Sequence, residues 1–562
     1  MTEKELRKNR ITDVLCYLLL AAVLCILIHK APYGFCQNDE AFYLTVPYRM
    51  AQGDVLLVNE WHPSQLSAFL LYPAMRLYLL LIKSTEGMVL AFRYLFAFAQ
   101  LAAALYFYCR AKKYGRIAAA LAAVFFALYA PFNIMALSYN SLGILLVVSA
   151  GVTLVSGGEK KGGLMLSGLL FAGAVLCCPY LAILYFVYSA VYLAANLHNR
   201  SRIAKWFAFT AGVLVLALIF AAYLLSKASM KEIVFGIRQM LNDSEHTGAS
   251  GVGPAAYFRA LATVHPKSLY FLCATVLLSL VIIADRRRTA ARRRLYLLAG
   301  LIISALYCSR FIRSGYINFL MLPLSILGWF AFLLAGKKSS RWFFFLYLPG
   351  ILYGFLICLG SNQGYYAISS TATVSSVASI MMLSDELNIF DKDNMPDSAA
   401  GLLLALFIVF QIGMEAHYRL AYTYNDGFTD SHTEALAYGP QKGIRTSPGE
   451  AGRYCLLLED TAPVRNIDAE NVLYLTADSW LYLADAKKSS SYSGWISPEF
   501  PEDSVSRLLE YWEINPEKKP DVIYIDQFFP GSSESLERLN IGNRNYIETQ
   551  RGYIINNQEV IK

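Results

Sequence analysis

The recurrence of long apolar runs with almost no charge leaves a chain of this kind few ways to fold. In hydrocarbon no water satisfies the backbone, so each run must close its own hydrogen bonds, as a helix does. The runs fall at 11–28, 88–109, 116–133, 141–156, 163–178, 181–196, 206–226, 268–284, 295–308, 315–335, 341–359, 365–383 and 399–414. A spanning helix takes roughly 20 mainly apolar residues, so the pattern predicts an α-helical polytopic membrane protein of about 13 spans. Composition agrees: 16% of the 562 residues are charged, against about 25% in soluble domains.

Charge orients the expected helices. Residues 415–562 hold 14 Lys/Arg and 23 Asp/Glu, which leaves 35 basic and 18 acidic residues before them. The basic excess collects in alternate loops, at Lys4–Arg10, Arg110–Arg116, Lys160–Lys161, Arg200–Lys205, Arg286–Arg294 and Lys337–Arg341. Cytoplasmic loops carry such an excess, so the N-terminus is expected inside, with no nucleic-acid partner. The first run is read as a retained span and not a cleaved signal, because no small-residue cleavage pattern follows it. The Ser/Thr/Ala-rich run 365–383 is the least certain span by hydropathy; its small residues suit a tightly packed bundle helix. If it crosses, the C-terminal part lies outside.

Three polar regions interrupt the apolar pattern. The first outside loop, 30–87, contains an apolar stretch at 65–82, but Pro73, Arg76 and Lys83–Gly87 argue for interfacial helices there. A second long outside loop, 227–267, carries Asp243, Glu245, His246 and a Gly-rich stretch, and its length suits a lid or binding loop. The tail, about 430–562, alternates β-prone runs at 472–475 and 522–525 with a helical pattern at 502–512, which predicts a small α/β domain outside. The 10 cysteines show no metal-ligand or disulfide spacing; no metal and no cofactor are predicted.

The candidate chemistry lies in the first loop. Adjacent Asp39 and Glu40 follow the first span, with Tyr43 close behind, then Gly53-Asp54 and Glu60-x-His62-Pro63. A carboxylate held at a membrane surface can take a proton from an acceptor hydroxyl. Neighbours on a helix point about 100° apart, so Asp39 is the expected base and Glu40 the residue that orients the loop or the substrate. The plain alternative is an N-cap at Asn38-Asp39.

This order of landmarks resembles the C-type (GT-C) membrane glycosyltransferases, in particular the protein O-mannosyltransferase and lipid A aminoarabinose transferase group. The resemblance covers the first 115 residues, and the multi-span layout more loosely. It implies a catalytic membrane domain over 1–414, in a bacterial plasma membrane. It also implies inverting transfer of a sugar from a polyprenyl-phosphate donor to a lipid, polysaccharide or protein acceptor on the outer face. Catalytic roles would fall to Asp39 and Glu40. Donor and acceptor contacts would come from Tyr43, Glu60, His62, Tyr139, Asn140, Arg310, Arg313 and Tyr316. Asn140 stands where relatives often carry an acid and cannot act as a base. Asp243 or Glu245 could supply a second carboxylate, though solvated loop charges are the simpler expectation. Arg310 and Arg313 suit phosphate recognition or headgroup anchoring. The competing classes are a polyprenyl-linked polysaccharide polymerase or ligase, a lipid-linked sugar flippase, and a non-enzymatic scaffold.

Overall fold

The structure is a computed structural model describing residues 3–36, 38–157, 160–243, 245, 266–286, 289–314, 321–335, 339–358, 366–387, 399–497, 500–529, 537 and 546–556. A helical bundle carries one C-terminal sheet domain, expected to be soluble, on one of its ends.

The bundle begins with α1 (Glu3–Lys30). Two helices of the first loop follow, α2 (Asp39–Ala51) and α3 (Ala68–Ile82). Next come α4 (Met88–Ala111), α5 (Arg116–Leu128), α6 (Tyr139–Gly157), α7 (Lys161–Cys177), α8 (Ala182–Ala195) and α9 (Arg200–Leu225). The amphipathic α10 (Met230–Leu241) precedes α11 (Pro266–Ala284), α12 (Ala290–Ser314) and α13 (Leu322–Ala335). Then α14 runs from Ser340–Trp342 through a π turn at Phe343–Tyr347 into Leu348–Cys358, followed by α15 (Tyr366–Leu387) and α16 (Ala399–Ala421).

Among the described residues seven helices are long and apolar enough to cross a membrane. Others, such as Arg116–Leu128 and Leu322–Ala335, are apolar but shorter than 18 residues, and α5 is almost wholly buried among its neighbours. Outward-facing Leu80, Phe186, Phe207 and Leu218 are well exposed, as a lipid-facing surface requires. The chain is an integral membrane protein.

The Ser-rich run forms α15 at the centre of the bundle. Its side chains from Thr371 to Leu383 are nearly all excluded from the surface, packed on α13, α14 and α5. Small residues let these backbones approach. Serine hydroxyls reach across the seam: Ser375 meets Ser325 at 2.8 Å, and Ser376 donates to the Met321 carbonyl at 2.7 Å. Tyr129, just past α5, donates to the Ser370 carbonyl at 2.7 Å, while Gly115, just before α5, lies beside Ser384. From Ser370 to Ser384 the helix therefore spans the same depth as α5.

The soluble domain is built on a five-stranded sheet. Its strands are β1 (Asn471–Leu475), β2 (Lys488–Ser489), β3 (Val522–Asp526), β4 (Tyr546–Glu548) and β5 (Gly552–Asn556), in the order β2-β1-β3-β5-β4. Strands β1 and β3 are parallel, Val472 opposite Val522, with the helix Pro501–Ile514 in the connection between them; β5 closes antiparallel on β3. Every residue of β1 and β3 is buried, as strands covered on both faces must be. Two helices flank the sheet, α17 (Pro448–Asp460) and α18 (Pro501–Ile514). The strand–helix–strand order expected at 472–525 is present.

This domain sits on the first loop. Trp61 donates its backbone N–H to the Tyr492 carbonyl at 2.8 Å, and Tyr48 its hydroxyl to the Asp485 carbonyl at 3.1 Å. Both ends of the 65–82 segment meet the same face. Its start follows Trp61, while Gly87 and Val89, beyond its end, bond the carbonyls of Gly439 and Pro440. Long and apolar enough to cross, the segment nevertheless returns the chain to the side it left, as its proline and arginine predict.

Candidate functional site

Position 39 is the first residue of α2. The preceding Asn38 is in the αR region and makes no side-chain cap bond, so the N-cap alternative is not realised. The Asp39 carboxylate is half-buried. Its contacts are weak: the Tyr43 hydroxyl, one turn on, donates to Oδ1 at 3.4 Å, and the Cys36 thiol reaches Oδ2 at 3.9 Å. Burial, helped by the negative charge of Glu245, raises its pKa from 3.8 to about 6, against the lowering effect of the Tyr43 bond.

Every other acid of the first loop is neutralised by a cation. Glu40 is buried and gripped by Arg93 on α4, with Nε–Oε1 and Nη2–Oε2 both 2.6 Å. The same guanidinium donates to the carbonyls of Ala31 and Gly34 at 2.7 Å. Its oxygens thus fix the loop against α4, in keeping with the loop-orienting role expected of Glu40. Arg49 does the same one helix away. It holds Asp54 at 2.8 Å and Glu60 at 2.9 Å, and donates to the carbonyls of Asn59 and Ser491 at 2.7 Å. Asp54 also pairs with Lys518 of the soluble domain, and Glu86 with Lys442 at 2.8 Å. Glu60, which also accepts from the Gly494 backbone at 2.8 Å, is buried.

His62 lies beside the site, its ring 4.5 Å from Phe42. The Ser64 backbone N–H donates to Nδ1 at 3.2 Å. A backbone N–H can only donate, so in the neutral ring the proton is on Nε2. The imidazole lines a pocket with Asp243, Glu245, Trp495 and Arg507, at the seam of the first loop, the second loop and the soluble domain.

The second loop contributes more than solvated charge, which corrects that expectation. Asp243 pairs with Arg507 at 2.7 Å. Glu245 is 8% exposed and accepts from the Trp495 indole at 3.1 Å, close enough to act on Asp39. His246 and the Gly-rich stretch lie outside the described residues.

On the bundle side, the Tyr139 ring packs edge-on to Tyr43 at 5.8 Å. It lines a cleft of about 390 Å³ with Pro63, Ser64, Cys177, Cys178, Tyr180 and Ile357. Asn140 is buried beside it. The Oδ1 atoms of Asn38, the residue before Asp39, and of Asn140, the residue after Tyr139, are both buried without a hydrogen-bond partner. Arg310 is half-buried on α12, which packs on α11, α13 and α16; those contacts do not bring it to α2. The side chains of Arg313 and Tyr316 lie outside the described residues. Among the described residues no group of three or more His, Cys, Asp and Glu could hold a metal ion.

Sequence reasoning missed Arg49, Arg93 and Lys518. An arginine near the start of an apolar span was the available signal for Arg93, since such a charge needs a partner. Nothing local marks Arg49 or Lys518, whose carboxylates lie in other elements.

No family model and no curated protein matches the chain. Solved structures of an oligosaccharyltransferase from Archaeoglobus fulgidus do. The apo form matches at 14% identity and a TM-score of 0.43, covering 91% of this chain and 69% of that one. The form tethered to an acceptor peptide gives 13% and 0.41 over 91% and 69%. The complex of that enzyme, AglB, with an inhibitory peptide and a dolichol-phosphate gives 13% and 0.41 over 92% and 69%. At that identity and TM-score the likeness is loose.

Proposed function

We propose that the chain is a membrane glycosyltransferase of the GT-C kind, akin to the protein O-mannosyl and aminoarabinose transferases. It moves a hexosyl or pentosyl unit from a polyprenyl-phosphate donor to an acceptor hydroxyl on the face that carries the soluble domain. One observation carries this reading: Asp39 is the single acid of the first loop that has no cationic partner among the described residues. A carboxylate whose pKa lies near 6 is mostly ionised at neutral pH and is still basic enough to accept a proton in a transition state.

The chemistry is a single displacement. The acceptor oxygen attacks the anomeric carbon from the side opposite the phosphate, and Asp39 takes its proton. The C1–O bond to phosphate breaks, the phosphate leaves with the electron pair, and the configuration inverts. The apolar, tyrosine-walled cleft beside Tyr139 would admit the lipid end of the donor. The free carbonyl oxygens of Asn38 and Asn140 would accept from sugar or acceptor hydroxyls. The soluble domain, through Trp495 and Arg507, closes the acceptor side.

The test is transfer from a radiolabelled polyprenyl-phosphate sugar by the reconstituted protein. Asp39→Asn is expected to fold and bind donor as the parent does, and to lose transfer by roughly 10²–10⁴-fold. Parental turnover in that variant would remove Asp39 from the mechanism.

A further inference from the structure

At the end of the bundle remote from Asp39 lies a larger cavity, of about 1440 Å³ and open to the surface. Helix α6 fixes the separation. Its first residue, Tyr139, packs against Tyr43, and its last, Gly157, lines this cavity. Nineteen helical residues at 1.5 Å each rise about 28 Å, close to the thickness of the hydrocarbon core. The cavity therefore opens at the opposite membrane face.

Its lining is one-sided in charge. Arg110, Lys113, Lys160, Arg202 and Arg341 all face it, and among the described residues no carboxylate does. These residues come from four separate connections, at the ends of α4, α6, α8 and α9 and the start of α14. Among the described residues, ion pairs engage none of Arg110, Lys113, Lys160 and Arg341. Lys113 instead donates to the Ser156 carbonyl at 2.5 Å, and Arg110 to the Tyr106 hydroxyl at 3.1 Å. Glu159, the acid nearest in sequence, lies outside the described residues. Loop charge of this sign is ordinary on a cytoplasmic face; convergence of five cations on one concave space is not, because like charges held together repel. The rest of the wall mixes polar Ser156, Asn196 and Ser340 with an apolar and aromatic part made by Leu154, Val155, Tyr192 and Phe345.

We propose that this cavity binds the phosphate headgroup of an anionic lipid from the inner leaflet, with the acyl chains along the Tyr192–Phe345 wall. Basic pockets between spanning helices on this face are suited to such headgroups, and arginine forks match phosphate oxygens. The bound anion would tie together the inner ends of α4, α6, α8, α9 and α14. The site is independent of Asp39 and of transfer.

Binding to the purified, delipidated full chain tests it, by native mass spectrometry and thermal unfolding. The probes are dioleoyl phosphatidic acid, dioleoyl phosphatidylcholine and inorganic phosphate. Phosphatidic acid is expected to stay bound and raise the melting temperature, and phosphatidylcholine is not. Combining Lys113→Gln, Lys160→Gln and Arg341→Gln should weaken phosphatidic acid at least 10-fold. The same number of changes elsewhere on that face, Lys8→Gln, Arg286→Gln and Arg294→Gln, should not. Stabilisation by inorganic phosphate through the same three residues would support the anion site and assign it to free phosphate. Binding by the cavity variant within twofold of the parent, or equal losses in both variants, would overturn the proposal.

Discussion

At the scale of single residues, the account turns on the contrast between Asp39 and its neighbours. Five acids occupy positions 30–87, and four of them are ion-paired. The pair at 39–40 was legible in the sequence, as was the argument that two helical neighbours cannot share one task. Its partners were not: Arg93 is 53 positions from Glu40, and no local pattern encodes such a contact. Glu245 was weighed as a second carboxylate, but its burial depends on Trp495, 250 positions away. Removing that charge should ease ionisation of Asp39. Glu245→Gln is therefore expected to shift the acid limb of the pH–rate profile to lower pH, which a rate series from pH 4.5 to 8 would show. An unmoved limb would separate Glu245 from the site.

The elevated pKa of Asp39 has a stability consequence of defined sign. The folded state holds a proton through about pH 6, while the unfolded chain releases it near 3.8. Between those values folding takes up a proton, so stability falls as pH rises, and the loss is complete above pH 6. Asp39→Asn removes this cost. Its melting temperature is expected above the parent's at pH 8, with the gap closing toward pH 4.

At the scale of elements, ionic nodes hold the first loop in place. Arg49 joins α2, the 54–60 turn and the soluble domain, and Arg93 joins α4 to the segment between α1 and α2. Breaking a buried pair by deleting one partner costs roughly 3–5 kcal/mol, because the other charge stays buried. Glu40→Ala and Arg49→Met are each expected to lose stability on that order, read by thermal unfolding. Arg49→Met should also speed proteolytic release of the soluble domain. The sequence marked Gly53-Asp54 and Glu60 as landmarks and assigned Glu60 to substrate. Their shared duty to one arginine was hidden, because sequence spacing does not show which way a loop carboxylate points. The α/β order of the tail was legible, since periodicity is a local property; the antiparallel return of β5 was not.

At the scale of the whole molecule, the contacts of the soluble domain fix the path of the chain. Residues 30, 87 and 421 all approach that domain, so an even number of crossings separates them. Six apolar helices, α4 to α9, lie between 88 and 225, and six more, α11 to α16, between 266 and 421. Given that the other eleven cross, parity sends α15 across as well, which hydropathy alone left open because its serines lower the signal. In a cysteine-free background, Ser84→Cys and Ser431→Cys are expected to react with an impermeant maleimide from one side of sealed vesicles, and Lys160→Cys only from the other. Reaction of Ser84→Cys and Ser431→Cys from opposite sides would break the topology. The central claim concerns the proton. Single-turnover transfer rates of the parent and Asp39→Asn across pH 5 to 8 address it most directly. The parent should rise with unit slope through about pH 6 and level off, and the variant should be slow and flat. An acid limb that survives in the variant, or equal rates in the two proteins, would contradict a base at position 39.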